Sequence, residues 1–392
     1  MKVLYIHHCG DTGGASNSLI HLLTELKKNH SIEIVVATPE GPVVERFKKI
    51  VDTVEIIPTP RMFVSVSGVK FLYLRFLLEY LKPQSKTWVN DLVKRHNPDI
   101  IHLNEGGLFT TAKTLKKNFN IPVIMHCRVV ANSNYPAFNK FAAKKINKYV
   151  DHLICIDGSV LKVMDRVVKK SLIYNPVSSV FNEVLPKVKS DKFRILFLSN
   201  FLSQKGIGEL IKAAINLKDK STIKFVVAGS NVKPKEFYSS LKGRILDALG
   251  IYPDWQKRMD NAIAKHHLKN VQLLGQIVPT NELFANVDAL LLPIHMNEPS
   301  RSVFEAGAYG VPSIITLHDK VEDIVKHEKT GIIVKFGQQK KLEESIVNLS
   351  ESPEFVEEMG QACIKKFRAN HNVVEIANDV FDIYQNHLRS EN

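Results

Sequence analysis

Glu298 and Glu305 stand seven residues apart in the stretch NEPSRSVFEAGAYGVPSIIT, residues 297–316, which follows the apolar run VDALLLPI and ends in another. A helix that opens directly after a buried strand aims several unpaired backbone N–H groups at one spot, so this turn suits an anion. A carboxylate at the same place needs a different partner. In HHCGDTGGASNSL, residues 7–19, the glycines let backbone approach a ligand, and Ser16 or Asn17 is placed to cap the helix that follows. The spacing of Gly10, Gly13 and Gly14 is Gly-x-x-Gly-Gly rather than the dinucleotide Gly-x-Gly-x-x-Gly, and no acidic residue ends the next strand-like run, IEIVVAT. A tight structural turn and a phosphate site both fit that loop. LSNFLSQKGIGELIKAA, residues 198–214, repeats the arrangement with Lys205-Gly206 at the helix entry, where a lysine is either a solvated surface charge or a neutraliser of a diphosphate. PVIMHCRVV sets His126 and Arg128 at a strand end, as structural groups or as site residues.

These loops need strands behind them, and the chain supplies two sets. Apolar runs alternate with amphipathic stretches from KVLYIHH to SLIYNPV, and the rhythm restarts after NPVSSVFNEVLPKVKSDK, from FRILFLSN to GIIVKF. Strand and helix in turn predict parallel sheets covered on both faces. With 392 residues the expectation is an α/β chain of two Rossmann-like domains facing each other across a cleft, ligands lying beyond the C-terminal strand ends.

Taken together, Gly13-Gly14, Lys205-Gly206, EAGAYGVPSI at 305–314 and HEKTGIIV at 327–334 resemble the family 4 glycosyltransferases of the GT-B fold, in order and spacing over nearly the whole chain. The resemblance implies a retaining, metal-independent transferase that takes a hexose-type sugar from a nucleotide diphosphate, UDP most readily, with no cofactor. It implies an acceptor-binding domain at 1–180, a donor-binding domain at 190–372 and a terminal helix at 373–392 crossing back to the first. Glu305 matches the second glutamate of the family's Glu-x7-Glu motif, which holds the donor ribose; a carboxylate accepts two hydroxyl hydrogens there. Backbone N–H groups near Arg301 and Ser302 then serve the diphosphate, Lys205 neutralises it, Gly13 and Gly14 approach the donor, and His126 orients the transferred sugar. His126, Lys205 and Glu298 form the expected catalytic set.

The chain departs from the family pattern twice. Asn297, not a glutamate, stands eight residues before Glu305, so either Asn297 replaces the first glutamate or a deletion brings Glu298 into its place. Asn200 stands where the family has an arginine five residues before Lys205, which removes one charge from the diphosphate clamp and leaves Arg301 as a substitute.

Charge separates the halves. Lys+Arg outnumber Asp+Glu by 27 to 15 over residues 1–190 and by 26 to 25 over the rest, so +12 of the net +13 sits in the first half. Between two strand-like runs there, residues 61–95 carry Phe71, Leu74, Leu77, Leu78 and Leu81 at near-helical spacing beside Lys70, Arg75 and Lys82. Such a segment is either a core helix or a basic apolar helix lying in an anionic membrane surface, with Lys70, Arg75 and Arg128 on the acceptor side. The opening run reads as a buried strand and no run reaches a membrane span, so the expected place is the cytoplasm, peripheral on the inner face of the membrane. Cys9, Cys127, Cys155 and Cys363 have no metal or disulfide spacing. Residues 231–267 form a longer connection than the family needs, expected as two extra helices with Trp255 at their junction. The competing readings are a catalytically degenerate GT-B protein that binds glycan or a partner, and a nucleotide-sugar epimerase of the same fold. The aromatic residues fall in apolar runs rather than on a basic stacking surface, which argues against nucleic acid.

Overall fold

The computed structural model describes residues 1–63, 87–128, 136–177, 185–295, 301–317 and 323–389. The chain forms two compact units, Met1–Ser179 with His371–Asn392, and Val180–Asn370.

Seven parallel strands make the first sheet: β1 Lys2–Ile6, β2 Glu33–Thr38, β3 Thr53–Ile56, β4 Ile100–Leu103, β5 Val123–Cys127, β6 His152–Cys155 and β7 Lys170–Leu172, in the order β3-β2-β1-β4-β5-β6-β7. Both faces are buried, as apolar runs without polar alternation require. Val3 and Tyr5 of β1 enter one core cluster, and Leu4 and Ile6 enter the other. The helix Val373–Arg389 closes the first cluster with Ile376, Ala377, Val380, Ile383 and Tyr384.

The second sheet holds six parallel strands: β8 Phe193–Leu198, β9 Ile223–Ala228, β10 Val271–Gly275, β11 Ala289–Leu292, β12 Ser313–Leu317 and β13 Gly331–Lys335, ordered β10-β9-β8-β11-β12-β13. In each sheet the strand order reverses at one place, between β1 and β4 and between β8 and β11. Loops leaving those strands diverge there and open a crevice at the carboxyl ends.

Two local readings change. The helix Gly14–Asn29 starts earlier than the cap reading of Ser16 or Asn17 requires: its N-cap is Gly13, with no side-chain cap, and both residues lie inside the first turn. The connection after β9 holds three helices rather than two. Lys235–Ser239 is separated from Leu241–Ala248 by Ser240, whose hydroxyl caps the second by accepting from Gly243 N, and Trp255 opens the third, Trp255–His266.

Candidate functional site

The crevice of the first unit is a buried polar network. His126 sits in β5 at 3% exposure, and its Nδ1 lies 2.7 Å from Nε2 of His102 in β4. His102 Nδ1 pairs with the Tyr384 hydroxyl, which pairs in turn with Tyr5. Arg128, just past β5, is 7% exposed. It donates from Nε to Asn104 Oδ1 at 2.9 Å and from Nη1 to Asn175 Oδ1, and its backbone N–H reaches Glu105 Oε1 at 3.3 Å.

From Arg128 the network has a fixed direction. A guanidinium has donors only, so the oxygen of Asn104 must face it and the amide nitrogen must face His7. Asn104 Nδ2 lies 2.9 Å from His7 Nδ1, which therefore accepts. The His7 proton then sits on Nε2, 2.9 Å from Ser16 Oγ, and the Ser16 hydroxyl donates to the Asp11 carbonyl at 2.5 Å. Three side chains, Asn104, His7 and Ser16, thus carry the orientation of Arg128 into the Gly10–Gly14 loop. Burial pushes His7, His102 and His126 well below the ordinary histidine pKa; the positive charge of Arg128 pushes the same way on all three, while His8 adds to the effect on His7 and His102 to that on His126. The same two causes lower His8 to about 4.

Ligand atoms of His7, His8 and Cys9 lie within 4.8 Å of one another, a possible metal grouping by distance alone. His7 Nε2 already carries its proton toward Ser16, and burial raises the Cys9 thiol above its usual pKa, so neither atom is in the form that ligates. Gly13 and Gly14 are exposed at the helix entry. A Cβ at Gly13 would touch nothing within 4 Å, and its φ of −81° suits any residue, so the protein itself does not require glycine there.

The second unit builds its crevice from two loops in contact. Lys205 ends a short turn, Ser203–Lys205, after β8 and is half-buried; Asn200 is exposed. Gly206 follows with φ 80°, and a Cβ there would meet the Pro293 carbonyl oxygen at 2.1 Å, so glycine is required on both counts. His295 N donates to Gln204 O at 2.9 Å, fixing the loop after β11 against the lysine turn. Beyond it the helix Arg301–Ala308 carries Ser302, buried, and an Arg301 Nε–Glu305 Oε1 ion pair of 2.9 Å, one turn apart. Sequence reading missed two neighbours. His295 Nε2 lies 3.0 Å from Glu209 Oε2; burial raises the Glu209 carboxyl, but His295, a backbone N–H and Lys212 together hold the group below its usual range. Trp255 Nε1 donates to Ser203 Oγ at 3.2 Å, resting the inserted helix on the lysine turn. Glu298 and Asn297, and Lys70 and Arg75 with the rest of 64–86, lie outside the described residues.

Residues 12–179 match the family described as Glycosyltransferase Family 4, and residues 183–366 match Glycosyl transferases group 1. The chain belongs to the family 4 glycosyltransferases of the GT-B fold. Of solved structures, this glycosyltransferase is similar to HepE of Anabaena in complex with UDP-glucose, at a TM-score of 0.74 and 17% identity over 98% of this chain and 100% of the other. At that identity the likeness concerns the fold. Among sequences, the glycosyltransferase is 24% identical to a 41.2 kDa protein in the cps region of Klebsiella pneumoniae, over 75% of this chain and 81% of that one. It is also 24% identical to WcaL of Escherichia coli, provisionally named a colanic acid biosynthesis glycosyltransferase, over 42% of this chain and 38% of the other. No helix among the described residues is long and apolar enough to cross a membrane.

Proposed function

We propose that this glycosyltransferase moves a hexose from UDP to a glycan or lipid-linked acceptor during surface polysaccharide synthesis, with retention at the anomeric carbon and without a metal. The observation that carries the reading is the crevice of the second unit, where a lysine turn is locked against the loop after β11, and a helix bearing Arg301, Ser302 and Glu305 opens just beyond that loop. A cation and a helix N-terminus at one crevice suit a diphosphate, and a carboxylate one turn further suits a ribose diol. In this scheme Lys205 stabilises the charge that grows on the departing diphosphate, the backbone near Arg301 and Ser302 binds it, and Glu305 shares its carboxylate between Arg301 and the ribose. His126, held neutral by burial, contacts and orients the sugar. The leaving diphosphate needs no general base to activate it. Gly13, where a Cβ would meet nothing, and exposed Gly14 leave backbone open to the donor. HepE in complex with UDP-glucose, and WcaL by its name, support the donor class and the pathway. The excess charge of the first half supports an acceptor held at an anionic membrane, on the cytoplasmic side.

The test is release of nucleoside diphosphate from a panel of nucleotide sugars, with NMR of the product to read the anomeric configuration. Release from a UDP-hexose in the presence of a chelator, with the configuration kept, is the expected result. Absence of turnover with every donor, together with glycan binding, would instead establish the degenerate reading that exposed, uncharged Asn200 favours.

A further inference from the structure

The helix Leu241–Ala248 is mounted with its apolar side outward. Its inward residue is Gly243, so closely packed that a Cβ would meet the Phe237 carbonyl oxygen at 1.8 Å. Leu241 and Ile245 are 70% and 50% exposed, Leu249 just past the helix is 67% exposed, and Ile251 in the following turn is 57% exposed. At 100° per residue, positions 241, 245, 248 and 249 span an arc of about 100°, with Lys242 beyond one edge and Arg244 beyond the other. Lys242 and Arg244 are exposed, as is Lys235 on the preceding helix. The one acidic residue of the helix, Asp247, is engaged by Arg258 at 2.8 Å. A core helix would show the reverse arrangement, with large residues in and small or polar ones out.

We propose that this face of the insertion lies in the interface of an anionic membrane, a second contact that is independent of any made by residues 61–95. An apolar arc flanked by cations is the pattern that seats side chains at the acyl boundary while the charges meet headgroup phosphates. An eight-residue helix is about 12 Å long and about 10 Å wide, so one face of it offers on the order of 100 Å², far short of the ~800 Å² per partner that a stable dimer buries. Charge points the same way, since a second copy would bring like-charged Lys242 and Arg244 against themselves. The contact bears on the transfer site, because Trp255 of the same insertion rests on Ser203, two residues before Lys205. That connection rests on the donor reading given above; the lipid contact itself does not.

Tryptophan placed at the face supplies a local readout. Leu249→Trp is expected to show a blue shift of emission, relative to the unaltered chain, with mixed phosphatidylcholine–phosphatidylglycerol vesicles and none with phosphatidylcholine alone. Sedimentation of the full chain supplies the strength. Leu241→Ser with Ile245→Ser and Leu249→Ser should weaken vesicle partition by on the order of a hundredfold. Lys242→Gln with Arg244→Gln should weaken it by roughly thirtyfold and flatten its salt dependence. The substitutions are on the surface, so the far-ultraviolet circular dichroism should not change. An unshifted emission from Leu249→Trp on vesicles that do sediment the chain would overturn the proposal, as would a dimer in light scattering that the triple serine variant abolishes. Nucleoside diphosphate release without vesicles reads the donor assignment separately.

Discussion

At the ends of β1 and β4 the polar groups are buried and bonded in one direction, from Arg128 through Asn104 and His7 to Ser16. At the ends of β8 and β11 the ionisable groups are half-buried and paired, Arg301 with Glu305 one helical turn apart and His295 with Glu209, beside a lysine turn locked by a glycine. The first arrangement excludes charge from its histidines and holds a shape. The second keeps charge close to water. The difference shows that two sheets with the same kind of reversal can be specialised by burial alone: one crevice presets geometry and the other presets electrostatics.

Acid should break the comparison most strongly. Folding favours the neutral imidazole of His7, His8, His102, His126 and also His152, which burial lowers to about 4. The unfolded chain takes up those protons below about pH 6.5, so the stabilisation is complete above that pH and is lost as pH falls toward the folded values, by up to ~1.4 kcal/mol per histidine per pH unit. All five lie in the first unit, and with the more exposed His152 discounted for solvent screening the unit should still lose several kcal/mol between about pH 6.5 and 5, a window in which ordinary carboxylates stay ionised. Trp88 and Trp255, one in each unit, allow each to be followed by urea unfolding of Trp88→Phe and Trp255→Phe variants. Equal acid sensitivity of the two would show that the histidine network adds nothing particular to the first.

Gly206→Ala comes next, because the positive φ and the backbone clash at Pro293 add to about 3 kcal/mol or more; calorimetry of the variant checks it. Lys205→Ala should lower turnover by about 100-fold, roughly 2.7 kcal/mol of lost electrostatic stabilisation. A variant with near-normal turnover would leave the turn a purely structural role. Glu305→Gln should weaken nucleotide binding by about 2 kcal/mol in titration calorimetry, since the ribose contact is made in ground and transition states alike. The smallest change sharpens the contrast between the two glycine loops. Gly13→Ala should leave stability within about 0.5 kcal/mol, with any loss confined to donor affinity; a large fall in melting temperature would mean that the loop needs its glycine for packing.

The sheets were legible in the sequence because a parallel sheet covered on both faces needs continuous apolar runs, and each of the thirteen strands among the described residues lies on or beside such a run. The lysine turn and the helix at Arg301 were legible because helix entries after strands have a local pattern. The orientation of the histidine network was not. His7 and Asn104 are separated by 97 residues and Arg128 and Asn175 by 47, and a histidine at a strand end reads the same whether its tautomer is fixed or free. The cap reading of Ser16 failed for a local reason: Gly13 caps the helix, and Ser16, inside the first turn, has its hydroxyl engaged by His7 and the Asp11 carbonyl. The Arg301–Glu305 pair has the spacing of neighbours on a helix and could have been found. The outward face of Leu241–Ala248 reads as a core stripe until the burial of Gly243 shows which side is inward.

Tyr384 bears on the order of synthesis. It lies in the helix Val373–Arg389, made after the whole of the second unit, yet its hydroxyl is the partner of Tyr5 and His102 in the first. During translation the second unit is a complete insert that can fold at once, whereas the first must hold its sheet open, with Tyr5 and His102 exposed to water, until the last helix leaves the ribosome. A chain stopped before Val373 would keep every strand of both sheets and still lack a closed first core. Its nascent first unit is therefore the part whose core closes last.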